Sequence, residues 1–137
     1  MTWSADRFHD LFVEVIRSSG RWRDLDPEAL LGRWDRFVAD CEKGYPYDME
    51  DYSNDRTSRS SIEVALNTPE LQGYSGMVVF RTRVEIIDAR FRPLLIPDVF
   101  TNIPEKKWWS RGLVRYARRK LVSEVWESFG IEIAEVE

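Results

Sequence analysis

The sequence predicts an all-α fold: a single-domain bundle of five or six helices over residues 1–137, with a short extended C-terminal tail. Three observations predict it. Apolar residues recur at spacings of three and four through most of the chain. Helix-capping and helix-stopping residues punctuate those runs. The 137 residues, 43% apolar and 32% charged, suit one core that needs neither a disulfide nor a structural metal.

The first helix carries Phe8, Leu11, Phe12, Val15 and Ile16 at helical spacing and stops at Ser18-Ser19-Gly20. The second opens at Asp26-Pro27, where aspartate can accept from free amides and proline fits the first turn, and it closes at Gly44. Its inward stripe is Leu30, Trp34, Phe37, Val38 and Cys41. From Tyr45 to Leu66 the chain is more polar, and the pattern predicts two short helices, around Asp48–Asn54 and Ser58–Leu66. Met49, Tyr52, Ile62, Ala65 and Leu66 turn inward there. Asn67-Thr68-Pro69 ends this segment, and Pro69–Gln72 adds one helical turn.

The run from Met77 to Leu95 is rich in β-branched residues and could be a strand on composition alone. Spacing decides for a helix, because Met77, Phe80, Val84, Ile87, Phe91 and Leu94 form a sustained three-four seam. Asp88 and Arg92 are placed as a favourable i,i+4 pair on it. Pro93 ends or kinks the helix and leaves Leu94-Leu95-Ile96 as an apolar plug. A loop then runs from Pro97 to Pro104, and Glu105–Trp109 makes a single helical turn. Past Gly112 the last helix covers Leu113–Phe129, ended by Gly130. The tail Ile131–Glu137 alternates apolar with acidic and reads as one strand that needs a partner, in the same chain or on another molecule.

Net charge is −4, so attraction of polyanions by the molecule as a whole is excluded. The charge is segregated, however: residues 81–120 hold 11 bases against 4 acids, between two acidic stretches. The expectation is internal pairing, with Arg81, Arg83, Arg90, Arg92 and the Arg111–Lys120 group against the acids of Asp48–Asp55 and of the tail. In the last helix, steps of about 100° per residue put Arg111, Arg115 and Arg118 on the arc later used by Val122, Trp126 and Phe129. That arc thus begins as arginine and ends as aromatic core. Its bases also gather near the helix N-terminus and Glu124 and Glu127 near its C-terminus, against the macrodipole, which marks a strong tertiary partner or a function.

One cysteine, Cys41, permits no internal disulfide, and one histidine, His9, removes the common zinc constellations. Cys41 reads as a buried inert thiol and His9 as an edge residue. There is no glycine-rich phosphate loop, dinucleotide fingerprint or kinase signature. The reading is therefore no catalytic residue, no metal ligand and no cofactor. Met1–Asp6 lacks the features of a signal peptide, and no apolar stretch approaches the ~20 residues of a membrane span. A cytoplasmic protein that does not contact membrane, with Cys41 reduced, is expected.

The favoured function is binding of another protein. Its candidate residues are Tyr45 and Tyr47 of a stiff Tyr-Pro-Tyr turn, the acids Asp48, Glu50, Asp51 and Asp55, and Trp108 or Trp109 as anchor. Two indoles adjacent on a helix cannot both face inward. The alternative is nucleic-acid binding through Lys106, Lys107, Arg111, Arg115, Arg118 and Arg119, where guanidinium forks and indoles could grip phosphates and stack on bases. A third reading, carboxylate-dependent metal hydrolysis at Asp51 and Asp55, rests only on two acids one helical turn apart.

The string Tyr47-Asp48-Met49-Glu50-Asp51-Tyr52-Ser53-Asn54-Asp55, with Arg59 and Leu66, then Asp88-Ala89-Arg90-Phe91-Arg92 and Trp108-Trp109-Ser110-Arg111, resembles a set of small helical bacterial proteins of unassigned activity. The resemblance implies a bacterial cytoplasmic origin and an all-helical fold, and carries over no catalytic residue. In size and acidity the chain is also similar to toxin-neutralising immunity proteins, which implies an inhibitor or immunity-type role.

Overall fold

The Asp26 carboxylate accepts from the Ala29 N–H at 2.7 Å, and Pro27 occupies the first turn, so helix α2 (Pro27–Lys43) begins where the capping pattern places it. The computed structural model describes residues 2–21, 23 and 25–137. Met1, Trp22, Asp24 and the side chains of residues 2–6 lie outside it, and with them the reading of the Met1–Asp6 stretch. Helix α1 (Thr2–Ser18) precedes α2. Helix α3 (Met49–Leu66), a 3-10 turn (Pro69–Leu71), helix α4 (Ser75–Phe91) and a second 3-10 turn (Arg92–Leu94) follow. The remainder is strand β1 (Leu95–Ile96), the single-turn helix α5 (Trp108–Arg111), strands β2 (Leu113–Val114) and β3 (Tyr116–Ala117), helix α6 (Arg119–Phe129) and strand β4 (Ala134–Glu135). The fold is all-α, with six α-helices among the described residues and strands of two residues each.

The core forms where α1, α3 and α4 close on α2. All five residues read as the inward stripe of α2 are buried, and Leu31 joins them. Edge-on aromatic pairs connect the layers: Phe12 with Phe80 across α1 and α4 at 5.0 Å, Trp34 with Phe91 across α2 and α4 at 5.1 Å, and Phe37 with Tyr52 across α2 and α3 at 5.4 Å. Such pairs add ~0.5–1.5 kcal/mol each beyond the area they bury. The α4 seam lies inside from Met77 to Phe91, while Val78, Val79 and Ile86 face outward, so apolar residues stand on its exposed side as well. No helix among the described residues is long and apolar enough to cross a membrane.

Several expectations are corrected. Residues 49–66 form one helix, not two, because its inward face includes Ser58, Arg59 and Ser61 and therefore shows no apolar periodicity across the middle. Asp88 does not pair with Arg92; it points into the core toward Arg59 and Trp34. The last helix begins at Arg119 instead of Leu113. Residues 113–114 pair antiparallel with β1, and 116–117 pair in parallel with the tail strand β4. Gly112 makes the first pairing possible, since a Cβ there would lie 3.0 Å from the Ile96 carbonyl oxygen. The tail finds its partner within the same chain.

The shorter last helix also changes the two arguments drawn from it. Only Leu121 and Val125 of α6 are buried, whereas Trp126 and Phe129 are exposed. Glu124 has its tertiary partner: one carboxylate oxygen accepts from the Met49 N–H at 2.9 Å and so serves the N-terminus of α3, where a negative charge is favourable. Charge pairing also follows another route. Arg83 binds Glu28 and Arg90 binds Asp35 and Glu42, all acids of α2, while Arg81 bonds the Leu66 carbonyl and Gln72. None of these three acceptor sets includes Asp48–Asp55 or the tail.

Candidate functional site

The site rests on a buried charge pair. Arg59 of α3 is 4% exposed and sends Nε and Nη2 to the two Asp88 carboxylate oxygens of α4 at 3.0 and 2.9 Å. Its Nη1 reaches Glu63 at 2.9 Å, and Trp34 Nε1 donates to Asp88 at 3.0 Å. A paired and fully hydrogen-bonded charge is the condition under which an ionic group is tolerated inside a protein. The guanidinium also lies 4.4 Å from the Trp109 ring centroid, and Trp109 Nε1 donates to Ser60 Oγ at 3.1 Å. Helices α2, α3, α4 and α5 are thereby fixed to one another, and Trp109 is sealed inside.

Trp108, its neighbour, is half-buried, and its ring stands edge-on to that of Trp109 at 89°. Arg92 lies 3.8 Å over its ring, close enough for cation–π attraction. Beside this stack is a cleft of about 230 Å³ lined by Arg92, Arg111, Arg115 and Trp108, with Asp98 and Glu105 on its walls. Arg111 is clamped: Nε donates to Asp98 at 2.6 Å and Nη1 to the Ile103 and Thr101 carbonyls at 2.7 and 3.3 Å. Asp98, which grips Arg111, holds a left-handed backbone, φ 56°, a conformation uncommon outside glycine though less so for aspartate.

The loop bearing Asp98 borders a second feature. The Phe100 N–H donates to the Arg111 carbonyl at 2.9 Å, and the Phe100 ring meets Phe129 of α6 edge-on at 5.2 Å. Next to Phe129 on the same stripe is Trp126, 60% exposed, with Phe129 itself 47% exposed. Residues 97–103 thus have a basic cleft on one side and an open aromatic patch on the other. The patch was hidden in the sequence because Val122, Trp126 and Phe129 have the spacing of a core stripe, whereas the face that α6 buries is that of Leu121 and Val125.

The other candidates disperse. Tyr45 is buried, and its hydroxyl donates to Asp55 at 2.7 Å; burial and that carboxylate push the phenol above its ordinary range. Asp55 also has Arg33 Nη2 at 3.8 Å. Asp48 caps α3 by accepting from the Asp51 N–H at 2.8 Å. Tyr47, Glu50 and Asp51 are exposed; local desolvation and the Asp48 charge raise the Asp51 carboxyl. Among the six basic candidates, Arg111 and Arg115 meet in the cleft. Lys106 and Lys107 line a separate cleft of about 520 Å³ with Ser60, Glu63, Asn67 and Thr68. Arg118 lies instead beside the α2–α3 turn, its N–H bonded to the Tyr45 carbonyl at 3.2 Å, and Arg119 opens α6. They do not form one track.

Chemically, the site offers donors and apolar surface. Among the described residues no group of three or more His, Cys, Asp or Glu could hold a metal ion. Cys41 is buried, and burial pushes its thiol well above the usual range. Compared with protein-family models, curated proteins and solved structures, the chain matches none of them.

Proposed function

We propose that this protein is a non-enzymatic cytoplasmic binding module that docks another protein through the aromatic patch of α6 and the 97–103 loop. The observation that carries the reading is the exposure of Trp126 and Phe129 on consecutive turns, with Phe100 beside them. Tryptophan left open to water forgoes roughly 2–3 kcal/mol of burial, and large aromatics are the residues that most often anchor interfaces. The outward valines and isoleucine of α4 are the rival surface, but aliphatic residues such as valine are under-represented among such anchors. An arginine-lined cleft at the edge of the patch supplies a polar rim.

The test is site-specific photo-cross-linking in cells, with a photoreactive residue placed in turn at positions 126, 129, 70 and 85. A discrete protein adduct from 126 and 129, with none from 70 and 85, is expected. Failure of both aromatic positions to cross-link, or a nucleic-acid adduct there, refutes protein docking at α6.

A further inference from the structure

The cleft next to the patch has a chemistry of its own. Arg92 is exposed and stacked on Trp108, and among the described residues its guanidinium makes no ion pair or hydrogen bond. Arg115 projects from a backbone fixed on both sides: its N–H donates to the Leu94 carbonyl at 2.7 Å and its own carbonyl accepts from the Ala134 N–H at 3.0 Å. Its side chain likewise has no ion pair among the described residues. Two unmatched guanidiniums therefore open onto one cleft whose third, Arg111, is matched by Asp98.

We infer that the Arg92–Trp108–Arg115 cleft is a receptor for a single carboxylate, carried by an acidic side chain or by the chain terminus of an incoming polypeptide. Charge selects the ligand. Arg111 and Asp98 cancel, and Glu105 offsets one of the two remaining cations, so the lining keeps one positive charge. One carboxylate completes the balance. A phosphate dianion would leave an excess of negative charge next to Asp98 and Glu105 in a chain already at −4. Guanidinium and carboxylate are also matched in shape, since a fork of two N–H groups meets two oxygens in one plane. Stacking on Trp108 holds the Arg92 fork before the ligand arrives, which lowers the ordering entropy of binding. That the carboxylate belongs to a polypeptide rests on the α6 reading above; the cleft's preference for carboxylate does not.

The experiment is a titration of the ¹⁵N-labelled full chain, following the Arg Nε and Trp Nε1 signals at constant ionic strength. The probes are N-acetylglycine for a chain terminus, N-acetylglutamate amide for a side chain, inorganic phosphate, and chloride as control. Saturable shifts of Arg92, Arg115 and Trp108 are expected with at least one carboxylate. Arg92→Gln and Arg115→Gln should each weaken binding by about tenfold or more, in line with the loss of a charge-assisted hydrogen bond, and Lys120→Gln should leave it unchanged. Both arginines are exposed, so unaltered urea midpoints will show that the variants fold. Equal, non-saturating shifts with chloride overturn the site, and phosphate binding tenfold tighter than either carboxylate overturns the choice of ligand. Because these probes need no protein partner, the cleft and the α6 patch can fail independently.

Discussion

Removing the Asp88 carboxylate should cost the protein a large share of its stability. Asp88 accepts from Arg59 Nε, Arg59 Nη2 and Trp34 Nε1, all near 3 Å, and Arg59 is 4% exposed. In Asp88→Ala, Arg59 retains Glu63 at the edge of the core as its anionic partner and the Trp109 ring, and the Trp34 N–H loses the acceptor it has in Asp88. Breaking a buried pair by removing one partner costs about 3–5 kcal/mol, and the orphaned indole N–H adds about 1 kcal/mol or more. The terms overlap, so a loss of about 4–5 kcal/mol is expected, against a total of roughly 5–15 kcal/mol for a domain. With a urea slope of about 2 kcal/mol/M, the midpoint should fall by about 2 M. Urea is the proper denaturant because it does not screen charges. The double variant Arg59→Met, Asp88→Leu removes both charges and should recover at least half of the loss. A cost below about 1 kcal/mol for Asp88→Ala, or a double variant as unstable as the summed single changes, would refute the account of this pair as the brace beneath the site.

Two further outcomes follow from the structure. Gly44 closes α2 with φ 103°, and a Cβ there would overlap Val136 of the tail, so Gly44→Ala should cost about 1–3 kcal/mol; hydrogen exchange should show the amides of Ala134 and Val136 losing protection first, and their retention would contradict this. Burial raises the Cys41 thiol and, together with the Asp55 carboxylate, the Tyr45 phenol, so the folded chain keeps protons that the unfolded chain releases above about pH 8.5 and 10. Stability from these groups is fully present below those values and declines as pH rises; urea midpoints should therefore drop from pH 9 to 11, more gently in Tyr45→Phe, and equal slopes would speak against it.

Where side chains alternate between core and water, the sequence shows the fold directly. The stripes of α2 and α4 are legible because the buried residues from Leu30 to Cys41 are all apolar, and those from Met77 to Phe91 are apolar except Asp88. Helix α3 is not legible in the same way. Its middle buries Ser58, Arg59 and Ser61, small or paired residues whose burial depends on Asp88 and Ser60–Trp109 contacts from elsewhere in the chain. Residues 113–117 mislead for the opposite reason: Leu113, Val114 and Ala117 fit a helical stripe with Leu121 and Val125, yet strand partners at 95–96 and 134–135 override that preference. Of the candidate site, Trp108, Arg111 and Arg115 are recoverable from composition as a basic and aromatic cluster. The exposure of Trp126 and the stacking of Arg92 depend on tertiary placement and have no local signature.

Arg111 occupies an unusual position between the two faces of the 97–103 loop. Its side chain grips Asp98 on the cleft wall, while its carbonyl holds the amide of Phe100 behind the aromatic patch. A ligand that shifts this one residue therefore alters both neighbourhoods at once. Linkage then requires reciprocity: whatever factor an occupant of one face contributes to affinity at the other, the second returns to the first. Two modest contacts on opposite sides of a seven-residue loop would in that case report on each other, and a partner able to engage both would be distinguished from one that reaches only one.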